Sequence, residues 1–353
     1  MARAAVVSPP PSTLLGLYQT MVMARAIERR LWVLERLDHA PPHTTGVPAP
    51  RARESLGRGA TLAGVGGHNL GGTGLEAVQA AAAAVLRPGH DWVVPCPLDL
   101  ALCLALGISP LDVMLAIFGR AGDPASSGRQ APGAFSSRAL RVVMTSATAG
   151  RHIAQAAGIA YASQVSGRDE VTLVCTDERG TYAGDWHEGI NFAGAHGLPL
   201  ICLVEEIAGG SRPVAQRLQA SPAARADGYG LAAETIDGGD FGAALAAFSR
   251  AAERARSNGG PTLIHAVVVE LTSKAPSGGM RPPEELEAQA WQDPIDRMRR
   301  RLLAAGVLDD AADDQVQREC ALLVEAAVDE AGQAPSPEGA RALDNVFSEE
   351  VHG

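Results

Sequence analysis

Short apolar runs alternate with helical stretches through the second half of the chain, and this alternation restricts the fold more than any other feature. The candidate strands are Val142–Met144, Val171–Cys175, Leu200–Val204, Thr235–Asp237 and Leu263–Val269. The candidate helices between them cover about residues 152–165, 186–196, 214–226 and 241–257. Buried-looking strands separated by helices are typical of a parallel sheet with helices on both faces. We therefore predict an α/β fold.

The first half and the C-terminal part add helices to this sheet. Apolar residues recur at steps of three and four from Leu14 to Leu34, which predicts an N-terminal helix. Further helices at about 75–86, 99–106 and 110–118 and a short strand at Trp92–Pro95 are expected, and the chain is helical and charged from about residue 284. We expect a disordered N-terminus over residues 1–11, a single domain over 12–331 with a helical C-terminal extension, and a tail over 332–353.

The composition excludes several classes of partner. The chain has 353 residues, 46% of them hydrophobic, and a formal net charge of −10, which is a globular composition unsuited to nucleic acid. No apolar run reaches the length of a membrane span, and the N-terminus lacks the pattern of a signal peptide, so we expect a cytoplasmic protein with no membrane partner. The five cysteines contain no CxxC pair and suggest neither a disulfide framework nor a zinc site.

Acidic residues follow two of the predicted strands directly. Asp177 and Glu178 come after the strand at 171–175, and Glu205 and Glu206 come after the strand at 200–204. If the two strands are neighbours, four carboxylates lie at one edge of the sheet, where their mutual repulsion calls for a cation or for protonation. Oxygen ligands suit Mg²⁺. Solvated acidic loops are the alternative, and the spacing does not decide between the two.

The helix after residue 184 carries a second candidate residue. Asp185 is placed to act as its N-cap with Glu188 three residues later in a capping box, which explains both acids structurally. His187 lies on the same turn, within reach of the strand ends where doubly wound sheets bind ligands. The glycine-rich segment 64–74 lacks the Lys-Ser/Thr end of a P-loop and favours a flexible loop.

Several segments resemble one family of enzymes. The opening helix from Leu14 to Met21, with Arg25 and Glu28, is similar to the family's LLxLYRxMxxxRxxE start. The segment from Gly184 to Ala193 is similar to GDxHEGLNFA, and that from Asp293 to Leu308 to DPIxRFxxxLxxxGLL. The matches to VDGND and GPTLIE lie at 237–240 and 260–264. The chain resembles the alpha subunit of the thiamine-diphosphate-dependent decarboxylase component of 2-oxo acid dehydrogenase complexes, of the branched-chain or pyruvate type.

The resemblance implies a fold, a reaction and partners. The fold is the thiamine-diphosphate-binding α/β fold, and the reaction is oxidative decarboxylation of a 2-oxo acid with acyl transfer to a lipoyl carrier. The cofactors are thiamine diphosphate and Mg²⁺. The partners are a second copy in a homodimer or a beta subunit in a heterotetramer, with a lipoyl acyltransferase core beyond them. By resemblance, Asp177 or Glu178 and Glu206 hold Mg²⁺, while His187 and Lys274 face the site as catalytic residues.

The chain departs from the family at the positions that bind the metal. The family's GDG or GEG after the first strand becomes Asp177-Glu178 without one or both glycines, whose absence obstructs close approach of a phosphate. The family's paired asparagines become Glu206-Ile207, and Ile207 has no atom able to coordinate a metal.

Three further departures concern the phosphate and cation contacts. Leu98 replaces the arginine of the family's YRDH segment, and Lys274 falls near its phosphate-contacting histidine. The family's potassium-binding stretch corresponds to Ser146–Gly158, in which Arg151 and His152 stand for Thr and Gln. We expect Ser146, Arg151 and His152 near the cofactor, with the guanidinium of Arg151 filling the cation site.

Two hypotheses of function follow. In the first, the chain is an enzyme subunit that uses the residues above. In the second, it is a non-catalytic family member with an assembly, regulatory or other ligand-binding role. Scaffold residues persist while cofactor residues are replaced, which favours the second and predicts weak or absent cofactor binding.

Overall fold

The computed structural model describes residues 9–39, 71–130, 133–144, 148–208, 220–269, 271–272 and 283–343. Their strands form one five-stranded sheet in the order β1-β2-β3-β5-β4, and every neighbouring pair runs parallel. The strands are β1 Trp92–Val94, β2 Thr172–Asp177, β3 Leu200–Ala208, β4 Ala232–Asp237 and β5 Thr262–Val269. The α/β fold with a parallel sheet is therefore confirmed.

Helices connect the strands and extend the chain at both ends. They are α1 Pro11–His39, α2 Glu76–Val85, α3 Leu100–Leu106, α4 Pro110–Ile117, α5 His152–Val165, α6 Gly184–His196, α7 Pro222–Ala226, α8 Phe241–Arg256, α9 Pro283–Gln289, α10 Pro294–Ala304 and α11 Asp310–Gln333. Short 3₁₀ turns lie at Glu178–Tyr182, Asp227–Tyr229, Ala290–Gln292 and Gly339–Leu343. No described helix is long and apolar enough to cross a membrane.

Two hydrophobic cores lie on the two faces of the sheet. Successive strand residues point to opposite faces, so Leu173 and Ile201 join the larger core while Val174 and Cys202 join the smaller one. The larger core also contains α1, α2, α8 and the C-terminal helices, and the smaller contains α5 and α6. Helices thus cover both faces, as the strand pattern predicts.

One predicted strand is wrong. Val142–Met144 does not form a ladder, because Val142 makes only isolated bridges to Val93 and Ser137. The other predicted strands match observed ones with small shifts at their ends, and Trp92–Val94 supplies the fifth. Part of the helix predicted at 214–226 lies outside the described residues; its end is seen as α7.

Residues from distant motif segments meet in the folded chain. Arg25 of α1 contacts Glu76 of α2 at 2.6 Å and Asp293, just before α10, at 2.8 Å. Arg297 of α10 contacts Asp237 at 2.9 Å and Asp240 at 3.1 Å. These ion pairs fasten helices to one another and to the end of β4, so the motif residues involved are structural.

Candidate functional site

The carboxyl ends of β2 and β3 lie side by side, as the acidic residues after them require. Their register pairs Thr176 with Val204 and Asp177 with Glu205, so the two strands are direct neighbours. In parallel sheets, ligands bind beyond this edge. A metal or cofactor site formed by the predicted residues would therefore lie at this edge.

The four carboxylates do not form one cluster, so the first of the two alternatives left open by the spacing is not observed, although Asp177 and Glu205 are paired in the register of β2 and β3. Side chains alternate along a strand, so Glu205 and Glu206 point to opposite faces of the sheet. Glu205 is buried beside Asp99 and the amide of Gln79, whereas Glu206 pairs with His265 of β5. The period of two along β3 is the reason for the separation.

Asp177 and Glu178 are already engaged by their own chain. The Asp177 carboxylate accepts the backbone N–H of Gly180 at 2.9 Å and Nε of Arg179 at 2.5 Å, which caps the 3₁₀ turn that follows β2. The Tyr182 hydroxyl donates to Oε1 of Glu178 at 2.6 Å. A metal at this place would have to displace these donors from the carboxylate oxygens.

Glu206 has a partner of its own on the other face. Its Oε2 lies 2.8 Å from Nε2 of His265, which is almost fully buried. The same histidine ring lies 3.4 Å from the hydroxyl of Thr235 on β4. Glu206 thus takes part in a contact between β3, β5 and β4, away from Asp177.

Apolar side chains occupy two positions where the family has polar ones. Leu98 and Ile207 both pack against the larger hydrophobic core, so neither position offers a donor or a charge. With Asp177, Glu178 and Glu206 engaged separately, the described residues do not assemble the set of oxygen ligands that Mg²⁺ takes. The described part of the chain therefore does not fit a diphosphate–Mg²⁺ group at this edge.

His187 lies on the outer side of α6. Its Nδ1 is 2.6 Å from the hydroxyl of Tyr229, and its ring packs edge-on against buried Trp186. Partial burial, with nearby Arg225, lowers the pKa of the imidazole from its ordinary value. None of these described contacts is with an acidic residue at the strand ends.

The predicted cap of α6 is corrected. The N-cap is Ala183, whose side chain accepts no hydrogen bond, and Asp185 lies within the first turn. An acid in the first turn still interacts favourably with the helix dipole. Asp185 and Glu188 are exposed, so the capping box predicted from their spacing is not formed.

Arg151 and His152 start α5 but behave differently. The Arg151 side chain is 65% exposed, with Nε 3.8 Å from Asp185, so it does not fill a buried cation site as expected. The His152 ring is buried with Nε2 2.6 Å from the carbonyl oxygen of Cys175, and burial lowers its pKa. A carbonyl oxygen can only accept, so Nε2 of the ring donates. Ser146 and Lys274 lie outside the described residues.

The structure brings together a set of side chains that the sequence reasoning missed. Cys96 and Asp99 follow β1, and they meet Glu205 at the end of β3 and Gln79 of α2. All four side chains are buried. One sequence feature could have indicated Asp99: it is an acid that closely follows the predicted strand at residues 92–95, as Asp177 and Glu205 follow theirs.

Comparison with known proteins identifies the family. Residues 63–339 match the family model described as "Dehydrogenase E1 component". The chain is 32% identical over 337 residues to 2-oxoisovalerate dehydrogenase subunit alpha of Bacillus subtilis, covering 94% of each chain. It is 34% identical over 248 residues to 3-methyl-2-oxobutanoate dehydrogenase subunit alpha of Mycobacterium tuberculosis, covering 69% of this chain and 65% of that one.

The chain therefore belongs to the dehydrogenase E1 component family, as an alpha subunit of the 2-oxo acid dehydrogenase type. Members of this family depend on thiamine diphosphate, and their alpha subunits pair with a beta subunit. The parallel sheet covered by helices on both faces agrees with the thiamine-diphosphate-type fold that the resemblance implies.

Proposed function

We propose that this chain is an E1 alpha subunit that assembles with a beta subunit, while its own diphosphate site binds thiamine diphosphate and Mg²⁺ weakly or not at all. One observation carries the proposal: each candidate metal ligand is held by a different group of its own chain. Asp177 caps a turn, Glu178 accepts from Tyr182, and Glu206 pairs with His265.

The apolar replacements support the same proposal. A diphosphate needs positive charge and donors, and Leu98 and Ile207 supply neither. Losing two charge-assisted hydrogen bonds of roughly 1.5–3 kcal/mol each weakens affinity by about two to four decades. On this account the subunit supports assembly or regulation, or binds another ligand. It does not catalyse decarboxylation of a 2-oxo acid at full rate.

Calorimetry tests the proposal directly. Thiamine diphosphate with Mg²⁺ is titrated into the chain with its beta partner, and the Bacillus subtilis relative with its own partner is the positive control. We expect binding at least a hundredfold weaker than in the control, a factor within the decades estimated above. Micromolar or tighter Mg²⁺-dependent binding would overturn the proposal and favour a working enzyme.

A reconstructed variant sharpens the test. Leu98→Arg with Ile207→Asn returns the two family side chains, and we expect it to tighten cofactor binding relative to the parent chain. Leu98→Met with Ile207→Leu is the matched control, because it changes the same positions without adding a donor or a charge. Turnover of branched-chain 2-oxo acids, the substrates named for two relatives, is measured in parallel.

A further inference from the structure

Three potential metal ligands lie together inside the protein, at the carboxyl ends of β1 and β3. They are Cys96 and Asp99 from the loop between β1 and α3, and Glu205 near the end of β3. One donor atom from each lies within 4.8 Å of the other two. The three residues are 6%, 1% and 2% exposed, so water does not solvate the two carboxyl groups.

The hydrogen bonds around the cluster leave one of its potential metal-ligand atoms without a partner. Gln79 donates to Oε1 of Glu205 at 3.0 Å, and Oε2 of the same carboxyl lies 3.9 Å from Sγ of Cys96. Oδ2 of Asp99 accepts the backbone N–H of Cys96 at 2.6 Å, while its Oδ1 has no hydrogen-bond partner among the described residues. An orphaned oxygen of a side chain buried this deeply calls for a ligand.

No positive side chain is among the described contacts of the two acids. Those contacts are the amide of Gln79, a backbone N–H, thiol groups, including that of Cys175 beside Asp99, and the two carboxyl groups themselves. The nearby charge of Asp177 adds to the negative charge around Glu205. Two buried carboxyl groups in this position need either shared protons or a cation.

We propose that Cys96, Asp99 and Glu205 bind a divalent transition-metal ion of the zinc class. A thiolate combined with two carboxylates selects such an ion, because Mg²⁺ and Ca²⁺ take oxygen ligands alone. Zinc sites are tetrahedral, and the buried thiol of Cys175, which interacts with Asp99, Glu205 and Cys96, is the candidate for the fourth position. Binding releases the Cys96 thiol proton, since the thiolate is the form that coordinates.

This site differs from the Mg²⁺ position that the family resemblance implies. Asp177, Glu178 and Glu206 are not among its donors. The cluster links the loop after β1 to the end of β3, with Cys175 of β2 between them. A bound ion would therefore fix the loop that carries Leu98 against the sheet. The proposal is independent of whether the chain binds thiamine diphosphate.

Metal analysis of the full chain tests the proposal. The protein is purified without chelator, its bound metals are measured by mass spectrometry, and the chelator-treated protein is titrated with Zn²⁺ and with Co²⁺. We expect stoichiometric binding and a sulfur-to-cobalt charge-transfer band in the Co²⁺ form. Cys96→Ser, Asp99→Asn and Glu205→Gln should each weaken binding by about a hundredfold or more. Cys320→Ser, a buried thiol between α1 and α11, is the matched control and should bind normally.

Melting temperatures separate the metal from shared protons. The amide variants Asp99→Asn and Glu205→Gln imitate protonated carboxyl groups and keep the size of the side chains. They therefore serve as the test variants if a variant at Cys96 fails to fold. If the cluster binds a metal, Zn²⁺ raises the melting temperature of the chelator-treated parent chain and not that of the chelator-treated amide variants. Absence of bound metal, with no shift on adding Zn²⁺ and amide variants as stable as the parent, would overturn the proposal.

Discussion

Two buried acids of this molecule differ in their partners: one is paired with an arginine, and the other has no positive side chain among its described contacts. The paired acid contacts Arg25, a residue of the segments that resemble the family. Glu76 of α2 is 1% exposed and lies 2.6 Å from the guanidinium of Arg25, which also reaches Asp293. Glu205 is 2% exposed, and its described neighbours are an amide, a thiol and two further acids, Asp99 and Asp177. A buried charge with a fixed partner fastens helices, whereas one without a partner needs a proton or an ion.

The largest effect is expected from breaking the paired site. Arg25→Met removes the only described ion-pair partner of Glu76 and leaves two buried acids, Glu76 and Glu28, close together. Breaking one partner of a buried pair costs about 3–5 kcal/mol. Urea unfolding monitored by circular dichroism measures the loss.

Arg250→Ala is the control for this variant. Arg250 contacts Glu234 at the same distance, 2.6 Å, but its side chain is 54% exposed. Exposed pairs of this kind contribute about 0–1 kcal/mol. Equal losses of stability in the two variants would show that burial does not distinguish the two ion pairs.

The second prediction concerns pH, and it uses Glu28, next to the paired site. Burial and the neighbouring charge of Glu76 raise the pKa of Glu28 to about 7 from 4.5. The folded state therefore holds a proton that the unfolded chain has released between these values. The free energy of unfolding should fall as pH rises through this window, by roughly 3 kcal/mol from this group.

Glu28→Gln isolates that contribution. The amide cannot titrate, so the variant should lose less stability than the parent chain between pH 5 and pH 7.5, and the difference between the two curves belongs to Glu28. Urea unfolding at several pH values measures both slopes. Parallel curves for the two proteins would contradict the assignment.

The sequence predicts local structure well because helices and strands have their own periods. Helix α5, His152–Val165, agrees with the predicted residues 152–165, and β2 and β3 are neighbours, which the hypothesis of an acidic sheet edge required. The separation of Glu205 from Glu206 also follows from the strand period, once that period is applied to each acid. The scaffold motifs were informative because Arg25, Asp237, Asp293 and Arg297 act in pairs that the fold requires.

The buried cluster could not be predicted in this way. Asp99 and Glu205 meet only because the sheet order places β1 and β3 on either side of β2, and no local pattern encodes that order. Gln79 comes from a helix in the first half of the chain, and its amide faces the cluster because α2 packs over the sheet. The cysteine spacing is uninformative, since the donors come from separate elements.

A smaller loss of stability is expected from substitutions at the start of α8, where Asp240 contacts Arg297. Asp240 caps this helix by accepting the backbone N–H groups of Gly242 at 2.8 Å and Ala243 at 3.1 Å, while its other oxygen contacts Arg297. Asp240→Ala should cost about 1 kcal/mol, the usual value of an N-cap. Asp240→Asn keeps the cap and Arg297→Leu removes only the ion pairs, so both should cost less. Thermal unfolding of the three variants measures the order of their stabilities. A larger loss of stability in Arg297→Leu than in Asp240→Ala would show that the ion pairs contribute more than the helix cap.

The smallest effect is expected at Arg151, where the sequence suggested a buried cation site. Its side chain is 65% exposed and its nearest acid, Asp185, lies 3.8 Å away and is itself 56% exposed. Arg151→Ala should leave the free energy of unfolding unchanged within about 0.5 kcal/mol, because surface substitutions away from caps and buried networks have effects of this size. Urea unfolding is measured with and without 100 mM KCl, a concentration at which the Debye length is about 10 Å. A loss of stability that potassium restores would show that the guanidinium does replace a bound cation after all.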